Sequence, residues 1–135
     1  MVCLYCGEAT KVTNSRNKKR STRVWRRRQC LKCRAVFTTI EVPELYNSLS
    51  VKNLRLGTIE NFMPEKLFIS IYDCLKHRKN AVTEAKHICN TITSKLIREV
   101  VDDFIDVNMI RDTSLVCLFR FDTLAAANYS AYHKD

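Results

Sequence analysis

Four cysteines fall in two identically spaced pairs, Cys3-Leu4-Tyr5-Cys6-Gly7 and Cys30-Leu31-Lys32-Cys33, with 23 residues between Cys6 and Cys30. A two-residue gap lets both thiolates of a tight turn reach one ion. Two such turns close a tetrahedral sulfur shell, the structural type of zinc site with no open position for a substrate. A redox Cys-x-x-Cys would not need a second copy. The total of seven cysteines, in a chain whose first residues show no signal peptide, favours metal over disulfides. Cys3, Cys6, Cys30 and Cys33 are therefore the expected ligands of one structural Zn²⁺. Cys74, Cys89 and Cys117 stand singly and are read as core residues. His77, His87 and His133 show no ligand spacing.

The second chemistry is cationic. Ten Lys and Arg lie within Arg16–Arg34 without an acid among them, and they interleave with the zinc motif. Guanidinium groups bind phosphate bidentately and reach the O6 and N7 edge of guanine. Arg16, Arg23, Arg26, Arg27, Arg28 and Lys32 are the expected nucleic-acid contacts, with Trp25 and Tyr5 able either to stack or to pack the small core. The charge alone does not choose between DNA and RNA.

These residues must be held by something. The net charge of +9 over 135 residues is segregated: residues 1–45 carry +8 and residues 46–135 carry +1. Two units with different tasks follow, 1–45 and 46–135. The first is too small to fold on apolar packing alone, so metal binding becomes its folding energy. Lys11–Asn14, Thr22–Arg26 and Ala35–Ile40 read as three short strands, giving a three-stranded zinc ribbon. Arg16, Lys18, Lys19 and Arg20 then fall in the loop between the first two strands.

In the second unit, Leu49–Leu54 and Thr58–Phe62 read as a short hairpin turning near Gly57. Pro64 suits a first helical turn, and Leu67, Ile71 and Leu75 recur on one face of a helix over about 64–77. Ile88, Ile92 and Leu96 line a second helix from Thr83 to near Val101. Asp112 or Thr113 is expected to cap a third helix bearing Leu115, Leu118 and Phe119, and Asp122 or Thr123 a fourth reaching Tyr132. The fold class is α+β: a small ribbon, then a mainly helical unit with a short β-hairpin. No apolar run approaches the roughly 18–20 residues of a membrane span, so a cytoplasmic location without a membrane partner is expected. No Ser-His-Asp set, catalytic carboxylate pair or P-loop occurs, which argues against an enzyme.

In this order, Cys-x-x-Cys-Gly, Asn14-Ser15-Arg16, Arg26-Arg27-Arg28-Gln29-Cys30-Leu31-Lys32-Cys33 and Phe37-Thr38-Thr39-Ile40-Glu41 resemble the zinc-ribbon half of the NrdR family, bacterial repressors of ribonucleotide reductase genes. Val51-Lys52, Gly57, Glu60-x-Phe62, Glu65-Lys66-Leu67, Asp122-x-Leu124-Ala125 and Tyr129 resemble the family's ATP-cone domain. The resemblance implies a ribbon that grips boxes of double-stranded DNA in reductase promoters. It also implies a cone that binds ATP and dATP through Val51, Lys52, Arg55, Glu60, Phe62 and Lys66, and a homo-oligomer whose assembly and DNA affinity follow the nucleotide. The family's Lys-Arg-Asp-Gly turn is here Lys52-Asn53-Leu54-Arg55-Leu56-Gly57, so either Lys52 or Arg55 could take its phosphate contact. A zinc-dependent RNA-binding or ribosome-associated module with a scaffold helical half is the rival reading.

Overall fold

The computed structural model describes residues 1–134, which form two units, Met1–Glu44 and Leu45 onward. In the first, β1 (Thr10–Asn17), β2 (Val24–Cys30) and β3 (Val36–Glu41) make an antiparallel sheet in the order β1-β2-β3. β2 runs four residues further than the sequence pattern indicated. Arg27 and Arg28 therefore pair with β1 and β3 as strand residues. Arg16 is also a strand residue, opposite Trp25, and not part of the loop. The register shifts between Val12 and Asn14, where the Thr13 hydroxyl donates to the Arg27 carbonyl at 3.2 Å. This bulge adds local twist to the ribbon. The buried core of this unit is only Cys3, Cys30 and Phe37, with Ala35 packed against it.

The second unit has the hairpin of β4 (Ser50–Asn53) and β5 (Thr58–Asn61), then α1 (Pro64–Leu75) and α2 (Ala81–Arg98). It continues through β6 (Phe104–Asp106), α3 (Val107–Phe121) and α4 (Thr123–Tyr132). The Asn53 carboxamide oxygen accepts from the N–H groups of Arg55 and Leu56, and Gly57 takes a left-handed φ of +65° to close the hairpin. β6 joins the hairpin parallel to β4, with Val51 opposite Ile105. The α1–α2 pair is the crossover that a parallel pairing requires. The helices bury Leu67, Ile71, Leu75, Ile88, Ile92, Leu96 and Leu118 in one core with Ile105 and Tyr129. No described helix is long and apolar enough to cross a membrane.

Two expectations are corrected. The third helix begins at Val107, not at 112–113, because Asp106 caps it by accepting from the Asn108 N–H at 2.7 Å. Its first turns bury Val107 and Ile110 partially against the core, which fixes the earlier start. Phe119 is 65% exposed and belongs to no core. The fourth helix is capped by Asp122, whose carboxylate accepts from the Ala125 N–H at 3.0 Å.

Before β6, Asp102 and Asp103 both take left-handed φ values, 52° and 62°, between the paired residues Val101 and Phe104. A two-residue turn of this hand favours Gly at its second position. Asp103→Gly is expected to stabilise the helical unit by about 0.5–1 kcal/mol, the relieved left-handed penalty less the extra backbone entropy of Gly. Thermal unfolding should show it as a rise of about 2–6 °C; a fall would refute the turn assignment.

Candidate metal centre, basic ribbon face and helical pocket

The two knuckles have the same construction. The Cys3 N–H donates to the Glu8 carbonyl at 2.8 Å, and the Cys30 N–H to the Ala35 carbonyl at 2.9 Å. The residue after each second cysteine is left-handed, Gly7 at φ 73° and Arg34 at φ 62°. The turns bring all four Sγ atoms within 4.8 Å of one another, with Cys3–Cys33 at 3.6 Å and Cys6–Cys30 at 3.4 Å. A Zn–S bond of about 2.3 Å implies tetrahedral S···S edges of about 3.8 Å, so the thiols fit a zinc ion. The N–H groups of Tyr5, Lys32 and Cys33 point at Sγ atoms from 3.4 Å, as donors to thiolates would. Burial pushes the Cys30 thiol up, but the N–H groups of Cys33 and Lys32 overcome it and hold it down to about 6. In contrast, burial alone pushes Cys89 up to about 12, and burial with the Asp73 charge raises Cys74 to about 11, as befits inert core thiols.

The sheet sorts the arginines. Side chains alternate across β2, so Arg26 and Arg28 share one face with Cys30, while Trp25 and Arg27 share the other. On the first face Arg26 donates to the Glu41 carboxylate at 3.2 Å and Arg28 to the Thr39 hydroxyl at 3.3 Å. On the second, the Arg16 guanidinium lies 5.4 Å from the Trp25 ring centre, and the Arg27 side chain is exposed and makes no hydrogen bond or ion pair among the described residues. Lys32 pairs with Glu8 at 2.7 Å, and Arg23 sits in the turn before β2, its N–H bonded to Ser21. The three consecutive arginines thus do not address a single surface. The Tyr5 ring is 71% exposed and packs no core.

In the helical unit a cavity of about 510 Å³ lies among the hairpin, the start of α1, the start of α3 and the end of α4. Val51, Arg55, Glu60, Phe62 and Lys66 line it. Lys52 does not: it is on the other face of β4, its ammonium 5.8 Å from the Phe104 ring. Phe62 is 2% exposed and so forms wall and core rather than an open stacking surface. Lys66 pairs with Glu60 at 2.7 Å. Met63 gives α1 no side-chain cap; Pro64 has no N–H, and the Lys66 and Leu67 N–H groups donate to the Met63 carbonyl at 3.1 and 3.4 Å. Tyr129, which the sequence marks only by its likeness to the cone, also lines the cavity, as do Asn108, Arg111, Tyr132 and His133, which the sequence does not place at a site. Arg111 was hidden by placing the start of α3 too late. In the sequence Tyr132 marks only the end of the fourth helix, and His133 follows it without ligand spacing.

Residues 1–41 match the family model described as "Transcriptional repressor NrdR-like, N-terminal domain", a zinc ribbon. The chain is 31% identical over 140 residues to transcriptional repressor NrdR of Clostridium beijerinckii, covering 100% of this chain and 89% of that protein. It is 31% identical to the NrdR of a Psychrobacter species, covering 100% and 87%. Against the NrdR of Protochlamydia amoebophila it is 27% identical over 99% and 81%.

Proposed function

The chain belongs to the NrdR family of transcriptional repressors, and on that premise we propose that it is a nucleotide-responsive repressor acting on promoter DNA of ribonucleotide reductase genes. The ribbon, held by zinc at Cys3, Cys6, Cys30 and Cys33, grips double-stranded DNA. ATP or dATP in the helical pocket sets the oligomeric state and, through it, DNA affinity. Coupling of this kind is reciprocal, so DNA must also favour the nucleotide state that binds it. The protein performs no catalysis in this scheme.

The observation that carries the reading is the pocket. Arg55, Lys66 and Arg111 all line it, Lys66 from the first turn of α1. Cations at a helix N-terminus suit a polyphosphate, and its size suits a nucleotide. Arg55 rather than Lys52 is assigned the phosphate contact, because Lys52 faces away from the cavity. Tyr132, 75% exposed, offers a ring on which a base can stack. On the DNA side, Arg27 and Arg16 beside Trp25 form the contact face. Arg26 lies on the opposite face of β2, in an exposed pair with Glu41, and is not part of that contact face.

Fluorescence anisotropy with a labelled reductase promoter, with and without ATP or dATP, tests both halves. Arg27→Ala is expected to weaken promoter binding about tenfold or more, as removal of a base-reading guanidinium does. Lys66→Ala should keep basal binding and lose its response to nucleotide. Indifference of the wild-type protein to both nucleotides, in anisotropy and in light-scattering mass, would overturn the nucleotide half. Preference for RNA over the promoter would favour the ribosome-associated alternative.

A further inference from the structure

Beyond the last cross-strand pair, Asn17 with Val24, the β1–β2 hairpin projects a six-residue tip that neither flanking strand pairs. It contains Lys18, Lys19, Arg20 and Arg23 and no acid. The tip is shaped rather than loose. The Ser21 N–H donates to the Lys18 carbonyl at 3.0 Å, closing a turn, and the Arg23 N–H donates to the Ser21 hydroxyl at 3.1 Å.

Arg20 occupies the turn position with φ 64°, where Gly or Asn is favoured. A bulky cation in that conformation is uncommon. The side chains of Lys18, Lys19 and Arg20 are exposed and make no hydrogen bond or ion pair among the described residues. The nearest acid on the sheet, Glu41 opposite Val24, is bonded to Arg26. Elsewhere on the ribbon Arg26, Arg28 and Lys32 all have partners. Lys11, Arg27 and Arg34 are single exposed cations without a side-chain partner among the described residues, whereas the tip alone sets three of them, Lys18, Lys19 and Arg20, side by side. Arg27 lies opposite Asn14, four residues from Lys18, or about 13 Å along the strand. That distance matches about four base steps of a duplex.

We propose that the hairpin tip, Lys18-Lys19-Arg20, is a second DNA contact that clamps the phosphate backbone independently of base sequence, while the Trp25–Arg27 face sits alongside. The inference rests on the DNA-binding reading above. Phosphate contacts position a protein on the duplex without reading it, and each one releases condensed counterion. Such contacts register in the salt dependence of affinity more than in specificity.

The test measures duplex affinity of the zinc-loaded full chain at several salt concentrations between about 50 and 200 mM KCl. The probes are a short labelled duplex of arbitrary sequence and a single-stranded RNA of equal length. Lys18→Ala/Lys19→Ala/Arg20→Gly removes the three charges outside the paired strands and relieves the backbone at residue 20. Its plot of log affinity against log salt should be shallower than wild type by about two to three, near 0.9 for each phosphate no longer neutralised. Lys18→Arg/Lys19→Arg should keep the wild-type slope, which separates charge from shape. Full zinc content and an unchanged ribbon spectrum establish that the variants fold.

Wild-type duplex binding with an unchanged slope in the triple variant overturns the tip contact and leaves the DNA reading standing. No duplex binding by the wild type overturns both. A slope change seen only with RNA assigns the tip to RNA and overturns the proposal.

Discussion

Stripping zinc from the intact chain with a chelator is expected to unfold residues 1–44 and leave the helical unit folded. The ribbon buries three side chains, and two of them are the ligands Cys3 and Cys30. Phe37 alone supplies about 2–3 kcal/mol of burial. Ordering a chain of that length costs about 1–2 kcal/mol per residue before any contact is counted. Hydrogen bonds across two strand pairs recover part of this, but about +8 of uncompensated charge in the first 45 residues opposes compaction. Zinc binding in small ribbons is worth about 10–16 kcal/mol at neutral pH, and that term decides the balance.

Amide resonances of residues 1–44 should collapse to the random-coil region on chelation, while those of the helical unit stay dispersed. Cys30→Ser should do the same in the presence of zinc, since Cys30 is fully buried and its thiolate is the one most stabilised by backbone donors. Cys117→Ser, on a helix of the other unit, should leave the ribbon unchanged. Dispersed ribbon resonances in verified metal-free protein would show that the sheet folds without its ion.

What was legible in the sequence tracks how local each signal is. The zinc site is encoded by spacing alone: two knuckles with a left-handed residue after each, at Gly7 and Arg34. Even so, only Gly7 announced that conformation, because Arg34 takes it without the residue that favours it. The helices bearing Leu67, Ile71 and Leu75 or Ile88, Ile92 and Leu96 were legible because the buried face repeats with the helical period.

β6 was not legible. It is three residues long, and only Ile105 is buried, so no alternation exists to read. It is a strand because β4 supplies a parallel partner more than 50 residues away in sequence. The start of α3 failed for a related reason: the sequence points to Asp112 or Thr113 as the cap, whereas Asp106 caps the helix and Val107 and Ile110 pack its first turns against the core. The arginine run failed in a third way. Residue type gave the charge, but only strand register separates Arg27 from Arg26 and Arg28.

Asp122 bonds three partners at once, the Ala125 N–H, Arg78 and His77, and Asp122→Ala is expected to cost the helical unit about 2 kcal/mol or more at neutral pH. One of its oxygens caps α4 through the Ala125 N–H, while the other accepts from Arg78 at 2.8 Å and lies 3.0 Å from His77 Nε2. Arg78 also donates two bonds to Glu84 in the first turn of α2, at 2.6 and 3.1 Å, and its guanidinium lies 4.7 Å from the Phe121 ring. The α1–α2 turn and the α3–α4 turn are thereby clipped together through one carboxylate whose side chain is only 11% exposed.

Asp122→Asn keeps a cap acceptor and should cost less than Ala, which separates capping from charge. The Ala125 N–H and the His77 contact, with Arg78 beside them, outweigh burial and hold the Asp122 carboxyl well below the ordinary carboxylate range. A depressed value in the folded state stabilises above the unfolded value near 3.9 and loses that contribution as pH falls below it. Wild-type stability in urea should therefore decline from about pH 4 downward. The Ala variant should show a shallower decline, so that the two curves converge in acid. Parallel curves for wild type and Asp122→Ala across that range would place the acid sensitivity elsewhere and reduce Asp122 to a helix cap.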